Sequence, residues 1–432
     1  MSLSLEIEST GPLGLAAVRA ALEALGPEPR VVIKEHPNAL ELEVHPAAEP
    51  LAIAAHGDRV RLSAKTGTAG AGLHAWVVDL VDHLERHTGV GFDRAGARDP
   101  SGFVRTRDVG ALLHFQSVYL SEVARRILEL LESGHSSIAL GMPEDVVFEH
   151  DELASGRAVM ATPLGPRSRD WLVAVRRDGT AGFDALPWAE PGIDAAYHRG
   201  AALSLCWTEL RYRSPLDDGE KALFDRVLEH FERAYALDPA GRFDWSLWSE
   251  LFQLRGEESL RATRTHFKAE RDRTGSRVGY RRSPVVLQIG GGWRLRLPGA
   301  FATAWEEGGR VWNAWDGKRS LHVSTVRATG AASAVSTEAT LQALLGHDQV
   351  EGEAPGEVML LKRGPIRGRA TVRRLKATSP DEPGLLEVRA LSAVGPHGAF
   401  GTFVVRDEED RVWALEVWGT LDHDDARDWQ PS

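Results

Sequence analysis

At 432 residues, with 43% hydrophobic and 26% charged side chains, the chain falls in the ordinary globular range, is long enough for roughly three domains with cores of their own, and excludes disorder on a large scale. One cysteine, Cys206, excludes an internal disulfide and any Cys-rich metal site, and no stretch approaches the ~18 uninterrupted apolar residues of a membrane helix. The net charge of −11 is uneven: residues 1–256 carry 26 basic and 38 acidic side chains, whereas 257–432 carry 25 and 24.

The opening "MSLSLEIESTG" has neither a basic n-region nor an apolar core, so a cytoplasmic protein is expected. Only seven of the 51 basic residues are Lys, and with abundant Ala and Gly this points to a high-GC bacterium rather than to a specific use of arginine.

In chain order, residues 1–95 read as strand (Leu3–Glu8), helix (Leu13–Leu25), strands near Arg30–Glu35, Leu40–Val44 and Arg59–Ala64, and a second helix (Leu73–His87). Leu15, Val18, Leu22 and Leu25 form one helical stripe, and Trp76, Val77, Leu80, Val81 and Leu84 the other. This is the pattern of a small α+β sandwich with both helices on one face of an antiparallel sheet. The Gly/Pro/Asp-rich stretch 93–102 is the first credible boundary.

A middle region, 103–283, begins with a helix over Val109–Glu132 and continues with strands at Ile138–Leu140, Asp145–Glu149 and Trp171–Val175. Helices then dominate from Ile193 to Arg271. Ser214 is read as an N-cap, with Pro215 in the first turn and Asp217 and Asp218 complementing the dipole. Phe231, Ala234 and Pro239 fall in the register of the second half of a tetratricopeptide repeat, but its first half and a second copy about 34 residues away are missing, so no repeat array is expected.

From 284 to 421 the pattern turns to strands: Val285–Ile289, Trp293–Leu297, Val311–Trp315, Leu321–Val326, a helix Thr337–Leu345, then Val358–Lys362, Arg369–Lys376, Leu385–Leu391, Phe400–Val405 and Val412–Trp418. Residues 422–432 form an acidic tail. The expected class is therefore α+β and multidomain: a small N-terminal α+β sandwich, a mixed and helical middle, and a C-terminal antiparallel sheet with flanking helices. The element order of 284–421 loosely resembles the PsbP-like α/β/α sandwiches, which implies helices on both faces of that sheet.

No complete catalytic or metal motif is present. His83 and His87 of "HLERH" lie one turn apart, but Leu84 stands where a zincin needs Glu, so a solvated helix face is expected. Glu149 to Glu152 offer too few ligands on one strand face for a closed metal shell, and a charged edge or turn is expected there. "GTAGAG", residues 67 to 72, runs into a helix N-terminus, where an anion could sit at Gly70–Leu73, yet it has Ala75 at the third glycine position of the dinucleotide fingerprint and lacks the P-loop lysine; a flexible connection is the simpler reading. Lys65-Thr66-Gly67 has no accompanying Ser-x-x-Lys. Cys206 lies in an apolar segment and reads as a buried thiol. No cofactor, metal or catalytic residue is assigned, which argues against an enzyme.

Two basic runs stand out. Residues 261–282 hold Arg261, Arg264, Lys268, Arg271, Arg277, Arg281 and Arg282, with a local charge of +6. Residues 362–376 hold Lys362, Arg363, Arg367, Arg369, Arg373 and Arg374 and no acid, with Arg369 and Arg373 on one strand face. Adjoining, they would make a positive patch; alternatively they neutralise the acidic N-terminal half. The Trp-rich stretch 308–326 places Trp312 and Trp315 on opposite strand faces, so a sheet core is expected, with an aromatic contact to a partner as the alternative. The expected function is a non-catalytic adaptor of a bacterial multi-protein system, docking a protein with an acidic surface. A nucleic-acid-binding accessory factor that stacks bases on Phe267 and Tyr280 is the alternative.

Overall fold

The computed structural model describes residues 3–256, 276–306, 308–328, 336–348, 357–375 and 384–427. It is an α+β protein whose contacts divide it into two compact units. The first comprises Met1–Met142, His150–Leu210 and Asp217–Tyr280, and the second comprises Pro143–Glu149, Arg211–Leu216 and Arg281–Ser432. No described helix is long and apolar enough to cross a membrane.

The first unit opens with a five-stranded antiparallel sheet in the order β1-β5-β4-β3-β2, built from β1 (Ser4–Glu8), β2 (Val32–His36), β3 (Ala39–Glu43), β4 (Leu51–His56) and β5 (Arg59–Lys65). Alternation puts Leu5, Ile7, Leu40, Leu42, Ile53, Val60 and Leu62 in a core completed by α1 (Leu15–Glu23) and α2 (Ala71–Thr88). Residues 92–104 return to this sandwich. Ser9 bridges Phe92, Glu6 bridges Arg98, and Phe103 and Val104 of α3 (Phe103–Thr106) join the core. Leu112 of α4 (Val109–Glu132), Trp188 and Tyr197 extend the same core into the helical part.

The rest of that unit carries β6 (Ile138–Ala139), β8 (Met160–Thr162) and β9 (Gly165–Arg167) in a small sheet, with α5 (Asp151–Ala154), α6 (Arg169–Arg177), α7 (Ala195–Thr208), α8 (Asp218–Leu237) and α9 (Trp245–Arg255). β7 (Val146–Phe148) belongs to the second unit, where it edges a four-stranded sheet of order β19-β11-β10-β7, formed with β10 (Pro284–Gln288), β11 (Trp293–Pro298) and β19 (Asp422–His423). The start of the acidic tail thus supplies a strand.

The second unit centres on a seven-stranded antiparallel sheet, β12-β13-β14-β18-β17-β16-β15. Its strands are β12 (Ala302–Trp305), β13 (Val311–Trp315), β14 (Ser320–Arg327), β15 (Glu357–Arg363), β16 (Ile366–Arg374), β17 (Leu386–Val394) and β18 (His397–Val405). Two helices flank it, α10 (Thr337–Asp348) and α11 (Glu408–Gly419), and a short α12 (Asp424–Arg427) follows β19. A side chain added at Gly398 would meet Leu344 of α10 at 2.9 Å, and one at Gly401 would meet Trp418 of α11 at 2.3 Å. Positions 398 and 401 of one strand point to opposite faces, so the helices lie on opposite sides of the sheet, as an α/β/α sandwich requires.

Several expected elements are corrected. Val412–Trp418, read as a strand, lies in α11: the acidic "RDEEDR" is not a hairpin turn but an N-terminus, with Asp407 accepting from the Asp410 N–H and Glu408, Glu409 and Asp410 in the first turn. Trp171–Val175, also read as a strand, lies in α6, capped by Ser168. The cap of α8 is Asp217, which accepts from the Glu220 N–H, rather than Ser214. β4, β8, β9, β12 and β19 were not anticipated.

The glycine-rich connection into α2 is a packed clamp rather than a flexible link. Trp188 donates its backbone N–H to Ala69 O at 2.9 Å, and its carbonyl accepts the Gly72 N–H at 3.0 Å. A Cβ on Gly72 would stand 2.1 Å from Trp188 Cδ1 and 2.4 Å from Glu190 O. The N–H that an anion would need is therefore occupied, and glycine is there because a side chain cannot fit. Gly72→Ala is expected to destabilise the first unit by at least about 2 kcal/mol. Gly14→Ala, whose Cβ would meet nothing within 4 Å, should stay within about 0.5 kcal/mol of the parent in the same urea titration.

Candidate interaction surface

The two basic runs meet different fates. Arg261, Arg264, Lys268 and Arg271, with Phe267, lie outside the described residues. Arg277 is exposed in the first unit. Arg281, 8% exposed, lies against the Phe148 ring at 6.0 Å, and the Arg282 guanidinium sits 3.6 Å from the Tyr212 ring centroid. Tyr280 is fully buried, and its hydroxyl donates to Thr162 O and accepts from Thr162 N–H, both at 3.1 Å.

The second run forms the β15–β16 hairpin, and its register sorts the charges. Ile366, Gly368, Ala370 and Val372 are buried, so the intervening Arg367, Arg369, Thr371 and Arg373 share the opposite face. Across the strands Lys362 stands opposite Arg367, Leu360 opposite Arg369, Arg389 opposite Thr371 and Glu387 opposite Arg373. One face of β15–β17 therefore gathers Lys362, Arg367, Arg369, Arg373 and Arg389 around Glu387.

Acceptors within the second unit use part of this charge. Glu387 is paired with Arg373 and, at 3.1 Å, with Arg389. Arg367 donates to Gly364 O at 2.5 Å and Ile366 O at 3.1 Å, closing its own turn. Arg363 points to the other face, where it donates to Thr420 O at 2.5 Å and Leu421 O at 3.2 Å beyond the carboxyl end of α11, the end at which a helix favours a cation. Arg374 is exposed at the strand end. Arg369 differs from the other described residues of this run: its Nε is buried with no hydrogen-bond partner among the described residues, so it carries an unmet donor. Exposed apolar groups lie beside it, Leu360 at 84% and Val358 at 46%.

Arg389 was absent from the sequence reading because only the β16–β17 register places it here. The aromatic pair divides as the alternation implies. Trp312, 3% exposed, is core, and Trp315 is half-buried on the basic face, in the same strand as Asn313, which accepts from His322 Nδ1 at 2.6 Å.

The remaining motifs resolve into structure. His83 is half-buried and donates from Nε2 to Ala21 O at 2.8 Å, tying α2 to α1, so it is not a freely solvated side chain. His150 caps α5, and Glu149 pairs with Arg296. Cys206 is buried. No group of three or more potential metal ligands occurs among the described residues. Thr66, His74 and Asp99 form a line, with 3.0 Å from the Thr66 hydroxyl to His74 Nδ1 and 3.3 Å from His74 Nε2 to Asp99. All three are buried. Burial pushes the Asp99 carboxyl up, but hydrogen bonds from His74, Ser101 and the Val104 N–H hold it well below the usual carboxylate range. The line fastens the 99–104 loop to the sandwich.

A second histidine group joins three elements of the first unit. His198 and His230 face each other at 2.9 Å between their Nδ1 atoms, with Tyr197 against both rings and against His45. Glu28 pairs with Arg233 and lies 3.7 Å from His198. Burial, then the charges of His230 and Arg226, push His45 down to about 3. Burial, then His198 and Arg226, push His230 down to about 4. Burial also lowers His198, against the raising effect of Asp194 and Glu229.

Each folded-state value lies below the unfolded value of 6.5, so the unfolded chain binds protons first as pH falls. Stability present above about pH 6.5 should be lost progressively as pH falls, down to about pH 4 for His230 and about pH 3 for His45, and by about 2 kcal/mol for each between pH 7 and pH 5. Urea midpoints of the first unit at pH 7 and pH 5 measure this, and His230→Gln should flatten the slope.

No protein-family model matches the chain, and no curated protein does. Among solved structures, a crystal structure from Bacteroides thetaiotaomicron is similar at 13% identity, over 32% of this chain and 48% of that one, with a TM-score of 0.24. This chain thus spans about half the length of that structure, and a similarity at this level carries no argument about fold or activity.

Proposed function

We propose that this protein is a non-catalytic interaction protein, an adaptor of a bacterial multi-protein system, which receives an acidic partner protein on the basic face of β15–β17. The observation that carries this reading is Arg369. Its buried Nε lacks an acceptor among the described residues, its neighbours Lys362 and Arg367 are cations, and Glu387, on the same face, is already shared by Arg373 and Arg389. A partner carboxylate would supply the missing acceptor in the charge-assisted, forked geometry that arginine favours. The exposed Leu360 and Val358 add apolar contact at the rim, which suits a protein surface better than a sugar-phosphate backbone. Base stacking on Tyr280 finds no support, because that ring is sealed in the first unit.

The test is the triple variant Lys362→Glu, Arg367→Glu and Arg369→Glu, used as bait beside the parent in native lysate treated with nuclease. Retention of acidic proteins should fall at least about tenfold, the equivalent of ~1.4 kcal/mol, while the thermal midpoint of the bait is kept. Unchanged retention by the variant would overturn the reading. So would a captured set that disappears on nuclease treatment, which would move the assignment to nucleic acid.

A further inference from the structure

The seven-stranded sheet has two edges of unequal character. β12 has four residues, whereas β15 has seven, with Leu360 at its centre 84% exposed and Val358 46% exposed. Edges of natural sheets are commonly shortened, bulged or charged in the middle to prevent pairing. β15 is none of these: its charged residues stand at its ends, Glu357 at one and Lys362 and Arg363 at the other.

The direction of its backbone groups that no described strand pairs follows from register. Leu375 donates to Leu385 O at 2.8 Å, so by alternation the odd-numbered residues of β16 bond to β17 and the even-numbered ones to β15. Their partners on β15 are the odd positions, Arg363, Leu361, Met359 and Glu357. The N–H and C=O groups of Val358, Leu360 and Lys362 therefore point outward from the sheet.

The sequence of this edge, Glu-Val-Met-Leu-Leu-Lys-Arg, is complementary to itself when reversed. In an antiparallel pairing centred on Leu360, Glu357 faces Arg363 of the partner subunit, Met359 faces Leu361 of the partner subunit, and Leu360 faces its own copy. The outward-pointing residues then coincide: Leu360 exchanges hydrogen bonds with the partner subunit's Leu360, and Val358 with the partner subunit's Lys362. A slip by one residue would set outward groups against inward ones and break the charge match at both ends.

We infer that the protein forms a two-fold symmetric dimer by antiparallel pairing of β15 with β15 of a second copy, in the register centred on Leu360, joining the two sheets into one. The inference does not rest on the acidic-partner proposal. It concerns the edge of the sheet, and it would place the two basic faces side by side. Each Glu357 is already paired with Arg411 at 2.6 Å, so the inter-subunit ion pairs extend existing networks rather than neutralise free charges. Specificity of register is their main effect.

Sedimentation velocity of the full chain over a micromolar concentration series should show a reversible monomer–dimer equilibrium. Leu360→Lys, at a position too exposed to be needed for folding, should be monomeric throughout, with the melting temperature that the parent shows at concentrations where it is monomeric. Glu357→Arg should weaken the dimer at least tenfold. Leu360→Cys reads the register, because a hydrogen-bonded antiparallel pair holds its Cα atoms about 5.5 Å apart, within disulfide reach. Under mild oxidation it should give a covalent dimer, whereas Val358→Cys, displaced from its own copy, should not, with the parent and its buried Cys206 as background. A parent chain that stays monomeric, a Leu360→Lys dimer as strong as the parent, or equal cross-linking at 358 and 360 would each overturn the inference.

Discussion

The pleat of β16 is the constraint on which the second unit turns. Successive residues of a strand point to opposite faces, so Ile366, Gly368, Ala370 and Val372 enter the face on which α11 packs while Arg367, Arg369, Thr371 and Arg373 are held on the face that α10 flanks. Neither set can move without the other, because a shift of one residue would send four arginine and threonine side chains into the core. The basic face is thus enforced by the same burial that stabilises the sheet. Its neighbours on β15 and β17 inherit their positions from that strand, Lys362 and Leu360 on one side and Arg389 and Glu387 on the other.

The first unit depends on a different close approach. The Ala69–Gly72 turn and the Trp188 backbone exchange two hydrogen bonds at a distance only glycine permits, and this brings the helical part onto the sandwich. His45, Tyr197 and His198 are buried nearby, with the half-buried His230 against Tyr197 and His198. The Gly-rich signature that in other chains opens an anion site is used here for packing. The motif reports that backbone must come close to something, and only the structure tells whether that something is a phosphate or an indole.

Much of the fold was legible where pattern and punctuation agreed. The helix Val109–Glu132 and the strand Val311–Trp315 were read at their observed limits, since a long 3.6-residue stripe and a Trp-flanked alternation each admit one interpretation. Val412–Trp418 was misread because "VWALEVW" is apolar at both periods; the deciding signal was the acidic cluster before it, taken for a turn when it was a cap and a charged first turn. Ala-rich "LAIAAH" was passed over as a strand because alanine carries little strand preference, and its position between β3 and β5 is fixed by pairing alone. Of the candidate surface, the alternation of Arg369 and Arg373 was visible in one strand. Arg389 and Glu387 were not, because they reach the site through inter-strand register.

Counting charges along a sequence overstates a binding patch, and this chain shows by how much. Arg363 serves the carboxyl end of a helix, Arg367 its own hairpin, Arg373 and Arg389 one shared carboxylate, and Arg282 an aromatic ring. Each of these meets an acceptor or a π face among the described residues. What remains for a partner is set by unmet hydrogen-bonding capacity rather than by formal charge. Among the described residues of the two runs, that measure singles out one guanidinium, that of Arg369, on a face bordered by a strand edge that no described strand pairs. A long arginine run in a high-GC genome is weak evidence of a ligand; a buried donor with no acceptor is stronger, because its desolvation cost persists until something binds.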